Sequence, residues 1–331
     1  MISAKYFTYK LISSLILLFL ACLIALRFGA ADTSLYDVWV AITSSSTSDT
    51  TIMLQEIRFP RVIGTIFVGA ALAVSGAIMQ GVTRNPLADP GLLGVSAGAN
   101  LALALTMAFA PSANYFSIMV ACFIGASIGT LLVIGIGTLS QSGFSALRIV
   151  LAGSAVSAFL YAIADGIGIY FKISKDVSMW TAGGFIGTNW AQLQVVIPFI
   201  ALSLVLSLLL ARQLSLLSMN EDVAIGLGQN IVFIKAILFL LIIILAGASV
   251  ALVGNLAFVG LMIPHIVRAI VGADYRNIIP MSMVIGPIFL VLAETVGRTI
   301  NAPYETSVAA IISIIGLPFF LIIVRKGAKQ A

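Results

Sequence analysis

Residues 231–254 read IVFIKAILFLLIIILAGASVALVG. From Ile231 to Leu252 this run carries a single charge, Lys235, near its start. Roughly 20 apolar residues of helix cross the hydrocarbon core of a bilayer, and this stretch supplies them. Its end, Gly247-Ala248-Ser249-Val250-Ala251-Leu252-Val253-Gly254, follows the pattern G-A-x-x-A-x-x-G. The same pattern stands 178 positions earlier, as Gly69-Ala70-Ala71-Leu72-Ala73-Val74-Ser75-Gly76. At that offset Pro86 meets Pro264 and Gly94 meets Gly272. Small residues are common in membrane helices, so the two further matches in register carry the case for an internal repeat.

Working outward, the whole chain has the same character. Of 331 residues, 61% are hydrophobic and 9% charged, with a mean hydropathy of +1.16. A soluble domain carries nearer ~25% charged residues, so the lipid bilayer must cover most of this surface. The length allows about ten spans with short connections. Apolar runs between polar or Gly/Pro punctuation place them. The first five are Leu11–Phe28, Arg61–Val82, Leu92–Ala110, Tyr115–Leu139 and Leu147–Phe171. The next five are Gln192–Leu210, Ile231–Leu252, a short one near Met262–Val271, Ile279–Thr299 and Thr306–Val324. A polar segment from Asp32 to Glu56 follows the first, and a short interfacial helix is expected before Gly187. The two repeat copies lie in the second and seventh spans. Five crossings apart, these run in opposite directions, the mark of an inverted-topology repeat that frames a translocation path. The expected fold is thus an all-α polytopic membrane protein, one transmembrane domain over residues 1–331.

Lys and Arg set the orientation. With the N-terminus inside, the inner side holds Lys5, Lys10, Arg84, Arg148, Arg212, Lys235, Arg268, Arg276, Arg325, Lys326 and Lys329. The outer side holds only Arg27, Arg58, Arg61, Lys172, Lys175 and Arg298. This bias predicts both termini in the cytoplasm. It also accounts for the net charge of +5 without nucleic acid, since no basic cluster with interleaved aromatics occurs. Lys5 and Lys10 before Leu11–Leu26 imitate a signal peptide, and Phe19-Leu20-Ala21-Cys22 approaches a lipoprotein cleavage site. The many spans that follow favour a first transmembrane helix instead.

Enzyme chemistry finds little support. Cys22 and Cys122 both sit in apolar runs and give neither a disulfide framework nor a metal spacing. His265 stands alone behind Pro264, without a ligand partner at i+3 or i+4, and reads as structural. No Gly-Lys pair occurs anywhere, so there is no phosphate-binding P-loop; ATP, if used, is hydrolysed by another subunit. No cofactor or metal site is expected. Asp165 lies within the fifth span, where a charge is costly. Without a second acid in that span it reads as facing a watery cavity and not as part of a proton relay, which a proton-coupled secondary transporter on inverted repeats would need. An intramembrane hydrolase would need a Ser–His or paired-Asp arrangement, and His265 has no clear partner. Glu294 and Arg298 are four apart on one helix face, an expected ion pair.

Three segments together resemble the permeases for vitamin B12, haem and iron–siderophore complexes, a family within the binding-protein-dependent ABC importers. The first is Arg58-Phe59-Pro60-Arg61, followed by the repeat at 69–76 and then Gln80-Gly81-Val82-Thr83-Arg84-Asn85-Pro86-Leu87-Ala88-Asp89-Pro90-Gly91-Leu92-Leu93-Gly94. The second is Leu217-Ser218-Met219-Asn220-Glu221-Asp222-Val223-Ala224-Ile225-Gly226-Leu227-Gly228. The third is Phe258-Val259-Gly260-Leu261-Met262-Ile263-Pro264-His265-Ile266-Val267-Arg268. The similarity runs from about Arg58 to Lys326. Gly254-Asn255-Leu256-Ala257-Phe258 departs slightly from the family's Gly-x-Ile-x-Phe.

The resemblance implies a fold like that of the vitamin B12 permease in a bacterial cytoplasmic membrane. It implies a second permease subunit of the same or a related chain around a central path, cytoplasmic ATPase subunits below, and an extracytoplasmic substrate-binding protein above. The cargo is then an iron(III)-siderophore, with haem and cobalamin open. The loop with Asn220, Glu221, Asp222, Ala224, Gly226 and Gly228 would be the ATPase-coupling element. Its residues agree, because acids suit a helix N-terminus and glycines end a short helix. Arg58, Arg61 and Arg298 would dock glutamates of the binding protein. Ser75, Gly76, Gln80 and Ser154, small and weakly polar, are expected along the path.

Overall fold

The computed structural model describes residues 4–29, 33–44, 48–138, 146–219 and 221–327. Asp32, Leu139, Asn220 and Lys329 therefore lie outside the described residues. The described chain is helical throughout its ordered elements. Helix α1 is Ala4–Arg27, α2 Leu35–Thr43, α3 Asp49–Met53, and a π turn at Leu54–Arg58 runs straight into α4, Phe59–Thr83. A 3₁₀ turn at Pro90–Leu93 precedes α5, Val95–Phe109. Then come α6 (Tyr115–Thr138), α7 (Ala146–Tyr170), α8 (Ser174–Thr181), α9 (Trp190–Leu209), α10 (Ala211–Met219) and α11 (Glu221–Gly226). The chain closes with α12 (Ile231–Val253), α13 (Val259–Val271), α14 (Tyr275–Thr299) and α15 (Val308–Gly327).

Among the described residues seven helices are long and apolar enough to cross a membrane, and three shorter apolar ones, in α5, α13 and α15, bring the set to the ten expected. The third span is shorter than its apolar run because Pro90 starts a tight turn and Gly94, at φ 74°, breaks the helix before Val95. The ninth starts earlier than expected. Asp274 caps it by accepting from the Arg276 N–H, so helix extends below the apolar stretch. The polar segment after α1 is also helical: Ser34 and Asp37 form a reciprocal capping box at the start of α2.

Hydrogen bonds fix which ends lie together. The Trp190 indole donates to Gln55 O at 2.9 Å and the Gly184 N–H to Val253 O at 2.8 Å. With Arg58 on Leu26 O, these gather the starts of α4 and α9 with the ends of α1 and α12 at what we term the Arg27 end. At the opposite, Lys10 end, Arg84 and Lys235 both reach Glu221, and Lys10 donates to Ile270 O at 2.6 Å. Helices α4 and α12, which carry the repeat, are therefore antiparallel.

Helix α4 is the hub, packed against α14, α12, α13 and α9. Close approach explains its glycines. A Cβ on Gly69 would lie 2.8 Å from Gly286 O in α14, and one on Gly76 would overlap the Gly260 carbonyl of α13. Gly98 and Gly125, each followed or preceded by a second glycine four residues away (Gly94 and Gly129), face each other across α5 and α6 in the same way. By contrast α1 turns large side chains such as Ile16 and Phe19 outward, as a lipid-facing helix does.

Candidate translocation path and coupling helix

The three candidate docking arginines at the Arg27 end are buried. Arg58, Arg61 and Arg298 are 4%, 6% and 4% exposed. Arg58 donates to Leu26 O at 2.6 Å and to Thr33 Oγ1 at 2.7 Å, stitching the end of α1 to α4. Arg61 holds Glu305 through two parallel bonds of 2.7 and 2.6 Å, and its Nε lies 2.6 Å from Glu294. Arg298 pairs with the same Glu294 at 3.0 Å and donates to Ala25 O at 2.8 Å. The expected 294–298 pair forms, but as part of a network joining α1, α4, α14 and the loop before α15. Charges taken out of water must be paired and hydrogen-bonded in this way. Within this chain all three arginines bond other parts of the fold, and the expected role in docking a binding protein stays a proposal.

Three of the four expected path residues are likewise interior. Ser75 is fully buried and its hydroxyl donates to Leu72 O. Gly76 is the contact point with α13. Gln80, 2% exposed, accepts from Arg268 at 2.7 Å and donates to Leu261 O at 3.3 Å, locking α4 to α13. In this chain they make contacts within and between helices. Ser154 is exposed, on α7. It begins a stripe of exposed small residues at i+4 spacing, Ser154, Ala158, Ala162 and Gly166, with exposed Asp165 beside it. A carboxylate on a membrane helix faces water or another protein chain, not lipid. Against this face lie two adjoining hollows of about 320 and 360 Å³ that share Ser96, Tyr161 and Asn255. Asp89, Asn100 and Asn255 line them too, residues the sequence reading did not single out. The His265 ring stands edge-to-face with that of Phe319, the ring centroids 5.8 Å apart.

At the Lys10 end Glu221–Gly226 forms the short helix α11. Buried Ala224 pins it, and Glu221 bonds Arg84 at 2.8 Å and Lys235 at 3.0 Å. Gly228, at φ 80°, turns the chain back while the Gly228 and Gln229 N–H groups close on Ile225 O and Ala224 O. Between these anchors Val223, Ile225 and Leu227 are 48%, 59% and 63% exposed. These apolar side chains stand exposed at the Lys10 end.

The FecCD transport family matches this sequence over residues 16–326. The chain belongs to the FecCD transport family. Its similarity to the iron(3+)-hydroxamate import system permease protein FhuB of Bacillus subtilis is 42% identity, over 96% of this chain and 83% of that protein. The iron-uptake system permease protein FeuB of the same organism is 36% identical over 100% and 99%. The hemin transport system permease protein HmuU of Yersinia pestis is 40% identical over 96% and 95%. A solved structure described as an inward-facing conformation of a metal-chelate-type ABC transporter superposes with a TM-score of 0.84 at 26% identity, covering 96% of this chain and 99% of that one. As a FecCD chain the protein is a multi-pass membrane transport component, and the ten-span all-α reading stands.

Proposed function

We propose that this chain is the permease subunit of a binding-protein-dependent ABC importer that moves an iron(III) chelate into the cytoplasm. The whole chain acts as one transmembrane domain. The Lys10 end is cytoplasmic, in a bacterial cytoplasmic membrane, with both termini on that side. ATP is hydrolysed by separate subunits that dock on α11, and a binding protein delivers cargo at the Arg27 end. Two permease chains, the same or related, face each other along the α7 stripe.

The observation that carries this reading is α11: a short helix anchored at both ends by ion pairs and a glycine turn, with its apolar ridge exposed. Such an element transmits a push into α4 and α12 through Arg84 and Lys235. Family membership over nearly the whole chain supports the same assignment. A proton-coupled transporter would need a relay of intramembrane acids, and Asp165 has no second acid on its helix.

The test uses Gly226. A Cβ there meets nothing within 4 Å, so a side chain leaves the backbone at this position without a clash. Gly226→Trp is expected to leave insertion and thermal stability unchanged while cutting ATP-driven uptake of the iron chelate at least tenfold. Co-purification with the ATPase subunit should weaken in parallel. Unchanged uptake and unchanged stimulation of ATP hydrolysis would rule out α11 as the coupling element.

A further inference from the structure

We propose that α2 is an interfacial anchor, its exposed apolar face lying in the bilayer leaflet at the Arg27 end, just below the lipid headgroups. The segment between α1 and α4 is polar in overall composition, yet α2 is apolar on two faces. On one, Val38 and Ala41 are buried against Leu26 of α1 and against Met53, Leu54 and Phe59. On the other, Leu35, Trp39 and Ile42, spaced by four and three, stand together. They are 50%, 64% and 64% exposed, with Tyr36 beside them at 73%. The one charge in α2, Asp37, is held in the cap by the Ser34 N–H and hydroxyl at 2.8 and 2.7 Å. A helix that is hydrophobic around its circumference needs cover on every side, and this chain covers only one.

Level, continuity and chemistry identify phospholipid as the occupant. The helical run from Asp49 to Thr83 has 35 residues. At its rise per residue that is roughly 52 Å, against a hydrocarbon core of about 30 Å. Thr83 lies at the Lys10 end, so the Asp49 end stands beyond the core at the Arg27 end. Helix α2 packs on residues 53–59 of that run and on the last turn of α1, which sets it at the boundary. Its exposed face continues that of α1, where Ile24 and Phe28 are 43% and 44% exposed. Between the two, exposed Arg27 lies 5.3 Å from the centre of the Phe28 ring and puts a cation at the level of lipid phosphates. Trp and Tyr collect at this depth, ring in hydrocarbon and polar tip in water. The last turn of α2 is also prepared for scarce water. Carbonyls at a helix end lack intrahelical donors, and here Ala41 O accepts from Gln55 Nε2 at 2.8 Å while the Ser44 hydroxyl donates to Val40 O at 2.9 Å. Through Gln55, whose own carbonyl accepts from Trp190, the anchor holds the starts of α4 and α9 at a fixed depth.

The test reads Trp39 in the full chain, placed in nanodiscs of phosphatidylcholine and phosphatidylglycerol. Its emission is the difference between the parent and Trp39→Phe, a change at an exposed side chain. Lipids with a nitroxide quencher near the glycerol end of the acyl chain should quench it several-fold more than lipids labelled at the methyl end, because an interfacial helix buries its face only about 5–10 Å deep. Iodide in the water should quench it weakly. Ile42→Asp, also at an exposed position, should reverse that order: iodide quenching rises several-fold and lipid quenching falls. Free quenching by iodide with none from either lipid overturns the proposal. So does protection from iodide that appears only when the binding protein is added, the sign of a protein occupant. Equal quenching by the two lipids overturns it as well, since α2 would then run through the leaflet and not along it. Quenching unaltered in Ile42→Asp would remove the apolar face as the cause. None of these measurements uses ATP or cargo, so the anchor and the permease reading stand or fall separately.

Discussion

The two ends of this molecule handle charge in opposite ways. At the Arg27 end Glu294 is 1% exposed and is shared by two arginines whose side chains are 8% and 4% exposed. At the Lys10 end Glu221 is also shared by two cations, but its side chain is 32% exposed and that of Arg84 is 44% exposed. The topology of the clusters is alike, one carboxylate between two bases drawn from distant helices. Their energetics differ, because a buried pair cannot lose a member without leaving an uncompensated charge in a dry site, whereas an exposed pair exchanges its partner for water at little cost. The first arrangement fixes helices; the second is a joint that can be loaded and released. A transporter that is pushed from one side needs that asymmetry.

The largest expected effect is therefore at Glu294. Glu294→Ala strands Arg61 and Arg298 and should destabilise the folded chain by about 3–5 kcal/mol, read as a lower unfolding temperature in detergent and a lower folded yield. Glu294→Gln should fall between the two. If Glu294→Ala unfolds like the parent, the Arg27-end network does not hold α1, α4 and α14 together.

Next is the glycine contact between α4 and α13. Gly76→Leu places a side chain where the Gly260 backbone lies and should cost at least the ~1–3 kcal/mol of ordinary overpacking. Loss of stability without any change in transport by the surviving protein would mark the contact as structural only. Glu221→Ala, at the exposed joint, should cost less than about 1 kcal/mol in stability and still lower uptake per ATP hydrolysed. Comparing it with Glu294→Ala in the same two assays separates the roles: one variant fails in stability, the other in coupling.

Much of this was legible in the sequence, for a plain physical reason. A bilayer demands unbroken apolar helix, so spans announce themselves by length, and each of the ten runs gave a helix, although α1 and α14 begin earlier, at Ala4 and Tyr275, than the expected Leu11 and Ile279. The third fell short because Pro90 and Gly94 punctuate it. The positions of Arg58, Arg61 and Arg298 at one end were legible from span counting. Their burial was not, because Glu305 lies 244 residues from Arg61 and no local spacing links them; the 294–298 pair was visible since it repeats at i+4. Small and weakly polar residues such as Ser75, Gly76 and Gln80 suit a wet path and a tight helix crossing equally well, and the structure shows their buried contacts. The hollows were missed where Asp89 sits in a turn between helices, and were hinted at by Ser154, Ser157, Tyr161 and Asp165, which share one face of α7 at i+3 and i+4 spacing.

The smallest expected effect sharpens the comparison within the Arg27 end itself. Glu305 is the network's one partly wet member, its side chain 26% exposed, outside the spans on the loop before α15. The hydrogen bonds from Arg61 hold its carboxyl below the usual glutamate range; partial burial opposes this, and the nearby charges of Arg61 and Arg298 add to the lowering. A carboxyl whose pKa is depressed in the folded state contributes stability that is fully present above its unfolded value, near 4.3. That contribution fades as pH falls through the lower folded value. Glu305→Gln keeps the shape but removes the charge, so at neutral pH it should lower stability by about 1 kcal/mol or less. The deficit relative to the parent should shrink steadily below about pH 4, as the parent's own Glu305 protonates. Unfolding temperatures of the two proteins, measured side by side from neutral pH into acid, give that difference directly, and subtraction removes the carboxyls common to both. A constant difference across the series would mean that Arg61 holds Glu305 by shape and hydrogen bonding alone, leaving Glu294 as the carboxylate whose charge the Arg27 end depends on.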